Sequence, residues 1–99
     1  MRVQDELPAD VASLDDQQRA FLSTLAEVTG ARSGDDWQAE IFETAKAGGL
    51  PAGRAFAALY VAFLGRPNGP RAGWLLAGLD PAFVRRRLRE AAGAATLPA

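Results

Sequence analysis

Five stretches of the chain repeat apolar residues at helical spacing, and none alternates in the two-residue period of a strand. The first runs from about Leu14 or Asp15 to Thr29, with Leu14, Phe21, Leu22, Leu25 and Val28 on one face. Asp15, Gln18 and Arg19 fall on its solvent side. Ser13, followed by Asp16, reads as its cap, and Gly30 as its stop. The second opens on Ser33-Gly34-Asp35-Asp36, whose acids suit the positive end of a helix. It buries Trp37, Ile41, Phe42 and Ala45, and Gly48-Gly49 closes it.

Leu50-Pro51 opens the third helix, where a first-turn proline costs no hydrogen bond. Phe56, Leu59, Tyr60 and Phe63 give the strongest one-face pattern in the chain. Gly65 stands where a left-handed residue would end it. Pro67 and Pro70 then bracket Asn68-Gly69, a rigid turn flanked by Arg66 and Arg71. A short fourth helix from about Arg71 to Gly78 carries Trp74, Leu75 and Leu76, with Leu79 just beyond. Gly73 and Gly78 each weaken it by about 1 kcal/mol relative to alanine, which predicts close packing at both. Asp80-Pro81 caps and starts the last helix, Pro81 to about Ala92, with Phe83, Val84 and Leu88 inward. Arg85, Arg86 and Arg89 lie on its outer face or edge, and Gly93 ends it.

These elements predict an all-α fold, a compact bundle of about five helices. Residues 1–12 read as a flexible lead-in, 13–92 as one helical domain and 93–99 as a frayed tail. Ninety-nine residues suffice for a single core. No apolar run approaches the ~18 residues of a membrane span, and the start does not read as a signal peptide. The expectation is a soluble cytoplasmic protein with no membrane partner.

The absent residue types narrow the chemistry. Without cysteine there is no disulfide, thiolate nucleophile or zinc knuckle, and without histidine no imidazole base. The carboxylates converge in no catalytic pattern. Asp15-Asp16 and Asp35-Asp36 read as helix caps and not as metal ligands. No catalytic residue, metal or cofactor is expected. The net charge of −1 conceals two unlike halves. Residues 1–50 hold four basic and ten acidic residues, a balance of −6, and residues 51–99 hold seven arginines and two acids, +5. Such a split points either to a nucleic-acid face or to two halves that pack together.

A set of local matches adds a family. Trp37, Ile41 and Phe42, then Ala45-Lys46 before Gly48-Gly49, AFAALY at Ala55–Tyr60, FLG at Phe63–Gly65, GPRAGW at Gly69–Trp74 and FVRRRL at Phe83–Leu88 resemble the C-terminal end of class I lysyl-tRNA synthetases. The likeness covers roughly Leu14 to Arg89, and GPRAG after an aromatic helix ending in LG is its most specific part. It implies a helical anticodon-binding domain, related in plan to that of the glutamyl enzymes, which docks the anticodon stem-loop of lysine tRNA. DNA is not an implied partner. The family's histidine-bearing ATP signature and lysine-rich mobile loop have no counterpart, since the chain has no histidine and only Lys46. Ligase chemistry is therefore not expected within it. The resemblance fits either a domain of a larger synthetase, with the catalytic part as partner, or a stand-alone relative.

The candidate RNA-binding residues are Arg66, Arg71, Trp74, Arg85, Arg86 and Arg89. Arginine grips phosphate through paired hydrogen bonds, and RNA loops are read by stacking on aromatic rings. Consecutive arginines cannot all face one way, so at most two or three of the run at 85–89 form one phosphate-tracking row. The competing reading buries Trp74, as its size favours, pairs Arg71 with a first-half carboxylate and leaves the arginine run as a solvated face. Tyr60 reads as a core residue with its hydroxyl near the rim. The alternative function is a structural or protein-interaction helical domain that binds no RNA.

Overall fold

In a computed structural model, residues 9–28, 30–66, 68–69 and 71–93 are described. They form a 3-10 turn, Ala9–Ser13, and five α-helices: α1 (Asp16–Leu25), α2 (Gly34–Ala47), α3 (Ala52–Leu64), α4 (Ala72–Ala77) and α5 (Pro81–Gly93). No strand occurs among the described residues, and the fold is the expected all-α bundle. The prolines of the predicted rigid turn, Pro67 and Pro70, the end of the predicted first helix at Thr29, and the tail after Gly93 lie outside the described residues.

The second half of α3 is the centre of the molecule. Val61, Ala62, Phe63 and Leu64 are all buried, as are Ala55, Ala58 and Leu59 before them. A helix apolar on every side must be surrounded, and α3 touches all four other helices and the 3-10 turn. Around it, α2 packs broadly on α4 and α1 on α5. Two glycines set these directions. Gly49, at φ 70°, lets Leu50 and Gly49 donate to the Ala45 and Lys46 carbonyls at 2.9 and 3.1 Å, closing α2. The chain then turns through 119° into α3. Gly65, at φ 76°, ends α3 with its N–H on the Val61 carbonyl.

Several local expectations are corrected. The cap of α1 is Asp15 and not Ser13, which belongs to the 3-10 turn. Gln18 donates to the Asp15 carboxylate at 2.8 Å, and its Oε1 accepts from the Asp15 amide at 3.1 Å. Gln18 is also buried and not solvent-facing: its Nε2 donates to the Arg54 carbonyl at 3.0 Å, tying α1 to α3. α1 stops at Leu25, because Glu27 and Val28 donate three residues back and tighten the last turn well before Gly30. The stretch expected as lead-in includes the 3-10 turn, from which Val11 enters the core. Phe42, placed in the buried stripe of α2, is 46 % exposed. Trp37, Ile41 and Ala45 fill that stripe, while Phe42, a further 100° round the helix, meets Phe56 edge-on at 5.4 Å.

The start of α2 carries a pH-dependent element. The Arg32 and Ser33 amides donate to Asp36 Oδ2 at 3.2 and 3.3 Å, and the Asp36 amide donates to Ser33 Oγ at 3.1 Å. These amides hold the Asp36 carboxyl below its usual value of 3.8. A carboxylate with a lowered folded pKa stabilises the fold above its unfolded value, and that stabilisation disappears as pH falls from about 3.8 through the folded value. Urea midpoints of the native chain and Asp36→Asn should therefore differ at pH 7 and draw together as pH falls below about 3.8. A gap that stays constant across this range would refute the assignment.

Candidate functional site

α4 has six residues, too few to hold itself, and other helices supply its first-turn partners. Arg71, at its N-cap, makes no side-chain capping bond. Instead the Gly73 amide donates to Gln38 Oε1 of α2 at 3.0 Å. The Ala72 amide is directed at the hydroxyl oxygen of Tyr60 on α3. Burial pushes the Tyr60 hydroxyl pKa up, and the Ala72 amide partly opposes that shift. α4 is thus capped by a side chain distant in sequence.

Glycine makes the approach of α4 to α2 possible. A Cβ on Gly73 would lie 2.4 Å from the Gly34 carbonyl oxygen and 2.9 Å from the Gln38 amide nitrogen. A Cβ on Gly34 would lie 2.3–2.6 Å from Cδ2, Cε2 and Cγ of Trp74. The close packing expected at Gly73 is present; at Gly78 it is not, since a Cβ there would come no nearer than 3.5 Å to any neighbour.

Trp74 is consequently laid against the Gly34 backbone at the α2 N-terminus and remains 43 % exposed, which corrects the expectation of a buried ring. The Arg71 Cζ stands 4.1 Å from its ring centroid. No carboxylate among the described residues pairs with Arg71, so the predicted alternative of an ion pair with the first half is not realised. A guanidinium over an indole keeps its N–H edge for an acceptor such as phosphate, and both planes are surfaces on which a base can stack.

The other arginines sort by their partners. Arg89 reaches Glu27, in the turn after α1, at 3.9 Å, and Arg54 pairs with Asp15. Both pairs join the acidic half to the basic half. Arg87, 1 % exposed, donates to Glu90 Oε1 at 3.2 Å and to the Ala62 carbonyl at 3.3 Å. Arg86 is exposed, with its Cζ 5.4 Å from the Phe83 ring. Arg85 is half-buried beside Leu25 and Val28. Arg66 is exposed after the Gly65 turn. Of the six candidates, Arg71 and Trp74 form one unit. Arg85 and Arg89 lie on the α1 side of α5, and Arg86 lies beside Phe83. Sequence reasoning passed over Gln38 and Arg32. Gln38 shares a helical row with Gly34 and Phe42, and Arg32 sits in the acidic half and lines a cavity beside Trp37. Among the described residues no cluster of three or more Asp or Glu could hold a metal ion.

No family model and no solved structure matches the chain. Sequence relatives are consistent with one another. A lysine–tRNA ligase of Natronomonas pharaonis is 41 % identical over 90 residues, which are 89 % of this chain and 16 % of the relative. A lysine–tRNA ligase of Methanosarcina barkeri is 32 % identical over an alignment of 110 positions, which covers 91 % of this chain and 20 % of the relative. One from Thermoplasma volcanium is 33 % identical over 84 residues, 83 % of this chain and 17 % of that enzyme. The chain spans about a sixth to a fifth of the length of these curated relatives. It belongs, over about nine-tenths of its length, to the lysine–tRNA ligase family, as the homologue of one part of those archaeal enzymes.

Proposed function

We propose that this chain is a tRNA-binding domain of the class I lysyl-tRNA synthetase type, docking the anticodon stem-loop of lysine tRNA in the cytoplasm and carrying no catalytic residues of its own. The observation that carries the reading is the Arg71–Trp74 unit, exposed, cation over ring, and held in place by Gly34, Gln38 and Tyr60. Arg71 lies in GPRAG, the most specific part of the resemblance to the synthetases, and Trp74 follows it directly. Arg71 supplies a phosphate contact and a stacking plane; Arg66, Arg85 and Arg86 add positive charge without a carboxylate partner among the described residues. The catalytic part of a synthetase is the natural second partner, whether covalently joined or separate.

A titration of labelled lysine tRNA against the chain tests this. Binding at low salt should weaken steeply as salt rises, since each neutralised phosphate contributes a slope of about −0.7 to −0.9 in log K against log salt. Arg71→Ala should reduce affinity by about tenfold and the slope by about one, with a smaller loss for Arg66→Ala. Absence of binding at low salt and high protein concentration, or indifference to both substitutions, refutes the reading. A structural or protein-interaction role is the second reading, favoured by the Arg54–Asp15 and Arg89–Glu27 pairs, which spend charges of both halves on internal packing.

A further inference from the structure

A cavity of about 380 Å³ opens between the α1–α2 connection, α4 and the start of α5. Its walls are Ala31, Trp37, Leu76, Leu79 and Pro81, and Arg32 stands at its edge. A small recess of about 30 Å³ shares Ala31, Trp37 and Pro81 with it and ends at Arg85. Neither Arg32 nor Arg85 pairs with a carboxylate among the described residues. Asp36, four residues beyond Arg32, accepts from the Arg32 and Ser33 amides. Leu76 and Ala77 of α4, the helix that also carries Trp74, line the cavity.

An apolar cavity with Arg32 in its lining, and with Arg85 lining the recess that shares its walls, selects its occupant by chemistry. An aliphatic ligand would gain nothing from the guanidinium groups. A partner helix, about 10 Å wide, needs a long groove and not a single recess. An unstacked nucleotide satisfies both parts, with its base on the apolar walls and its flanking phosphates on the arginines. We infer that this cavity receives one splayed nucleobase of the bound RNA, with Arg32 and Arg85 on the phosphates either side of it. The inference rests on the RNA-binding reading and deepens it, adding a base site separate from Arg71 and Trp74.

The test uses the full chain and a labelled lysine tRNA transcript at low salt, together with transcripts carrying one abasic nucleotide at each loop position in turn. Ala77→Leu places a larger side chain on the cavity wall from α4. Arg32→Gln removes one guanidinium from an exposed position that bears no packing. Each should weaken binding about tenfold, the scale of losing one base contact, with the urea midpoint of Arg32→Gln unchanged. One abasic position should cost the native chain about tenfold and cost Ala77→Leu nothing, because the same contact is already lost. If tRNA binds the native chain and both variants equally, or every abasic transcript affects the native chain and Ala77→Leu alike, the base site is overturned while RNA binding stands. If the native chain does not bind tRNA at all, the RNA-binding reading fails and this site with it. Saturable binding of polyglutamate that displaces the tRNA from Arg32 would overturn it in favour of an acidic peptide.

Discussion

Gly73→Val should lower the stability of this protein by about 2–4 kcal/mol, a fall of roughly 10–25 °C in melting temperature. A side chain at residue 73 would press on the Gly34 carbonyl at 2.4 Å, on Gln38 Oε1 at 2.7 Å and on the Gln38 amide nitrogen at 2.9 Å. Two of these atoms belong to the backbone of α2 and cannot rotate aside. α4 would have to lift, losing the Gly73–Gln38 hydrogen bond and the seat of Trp74 on Gly34. Gly73→Ala makes the sign diagnostic. In an open helical position alanine in place of glycine gains up to about 1 kcal/mol; here it should lose stability. Gly53→Ala provides the control, since nothing lies within 4 Å of a Cβ at that helical position, and it should gain. Thermal melts followed by circular dichroism would measure all three. A Gly73→Ala protein as stable as the native one would show that α2 and α4 do not meet this way. Loss of tRNA binding in a folded Gly73 variant would also connect the packing to the candidate site, because Arg71 and Trp74 ride on α4.

Arg87→Ala should cost a similar amount, about 2–4 kcal/mol, although the residue lies in a run of arginines that looks superficial. Its side chain is enclosed, with Cζ 4.8 Å from the Phe83 ring, which in turn meets Phe63 of α3 at 6.0 Å. Ala62 is in the last turn of α3, where carbonyls have lost their helical donors, and the Arg87 guanidinium supplies one. Alanine would leave a cavity and remove that donor. Arg87→Lys should recover part of the loss, since a lysine can reach the carbonyl but cannot also hold Glu90 in a planar fork. Arg87→Met should recover packing without the hydrogen bond. Urea unfolding would order the variants as native, then lysine or methionine, then alanine. Arg87→Ala within about 1 kcal/mol of the native chain would contradict the role assigned to the buried guanidinium. Affinity for tRNA, by contrast, should respond to Arg87 only through folding.

The two arginine environments explain why the cationic half could not be read as one surface. On a helix, Arg85 and Arg89 fall on one side, whereas Arg86 and Arg87 are turned about 100° and 200° from Arg85. Packing then separates them further, since the turn after α1 takes Arg89 through Glu27 and α3 takes Arg87 through Ala62. What remains for a ligand is a smaller set of cations. Arg71 lies over Trp74, Arg32 lines the cavity between α4 and the α1–α2 connection, and Arg85 lines the small recess beside it.

Local patterning determined a good deal unaided. Apolar spacing located five helices, because burial of one stripe every 3.6 residues leaves a direct trace in residue order. Gly48-Gly49, Gly65, Asp80-Pro81 and Ser33 marked boundaries, because capping bonds and left-handed turns involve residues only a few positions apart. Tight packing at Gly73 was legible because a glycine inside a helix needs a compensating reason. Where two local signals competed, the choice fell to tertiary contact. Asp15 displaced Ser13 as the cap once its Gln18 partner also reached the Arg54 carbonyl across the core. Phe42 was exposed and Trp74 laid outward because the side of a stripe that faces the core depends on which helix arrives beside it. The cap of α4 by Gln38, 35 residues away, the burial of Arg87 and the cavity at Arg32 had no trace in residue order. They arise from helices meeting across the chain, and one-dimensional periodicity records which face of a helix is apolar but not which neighbour covers it.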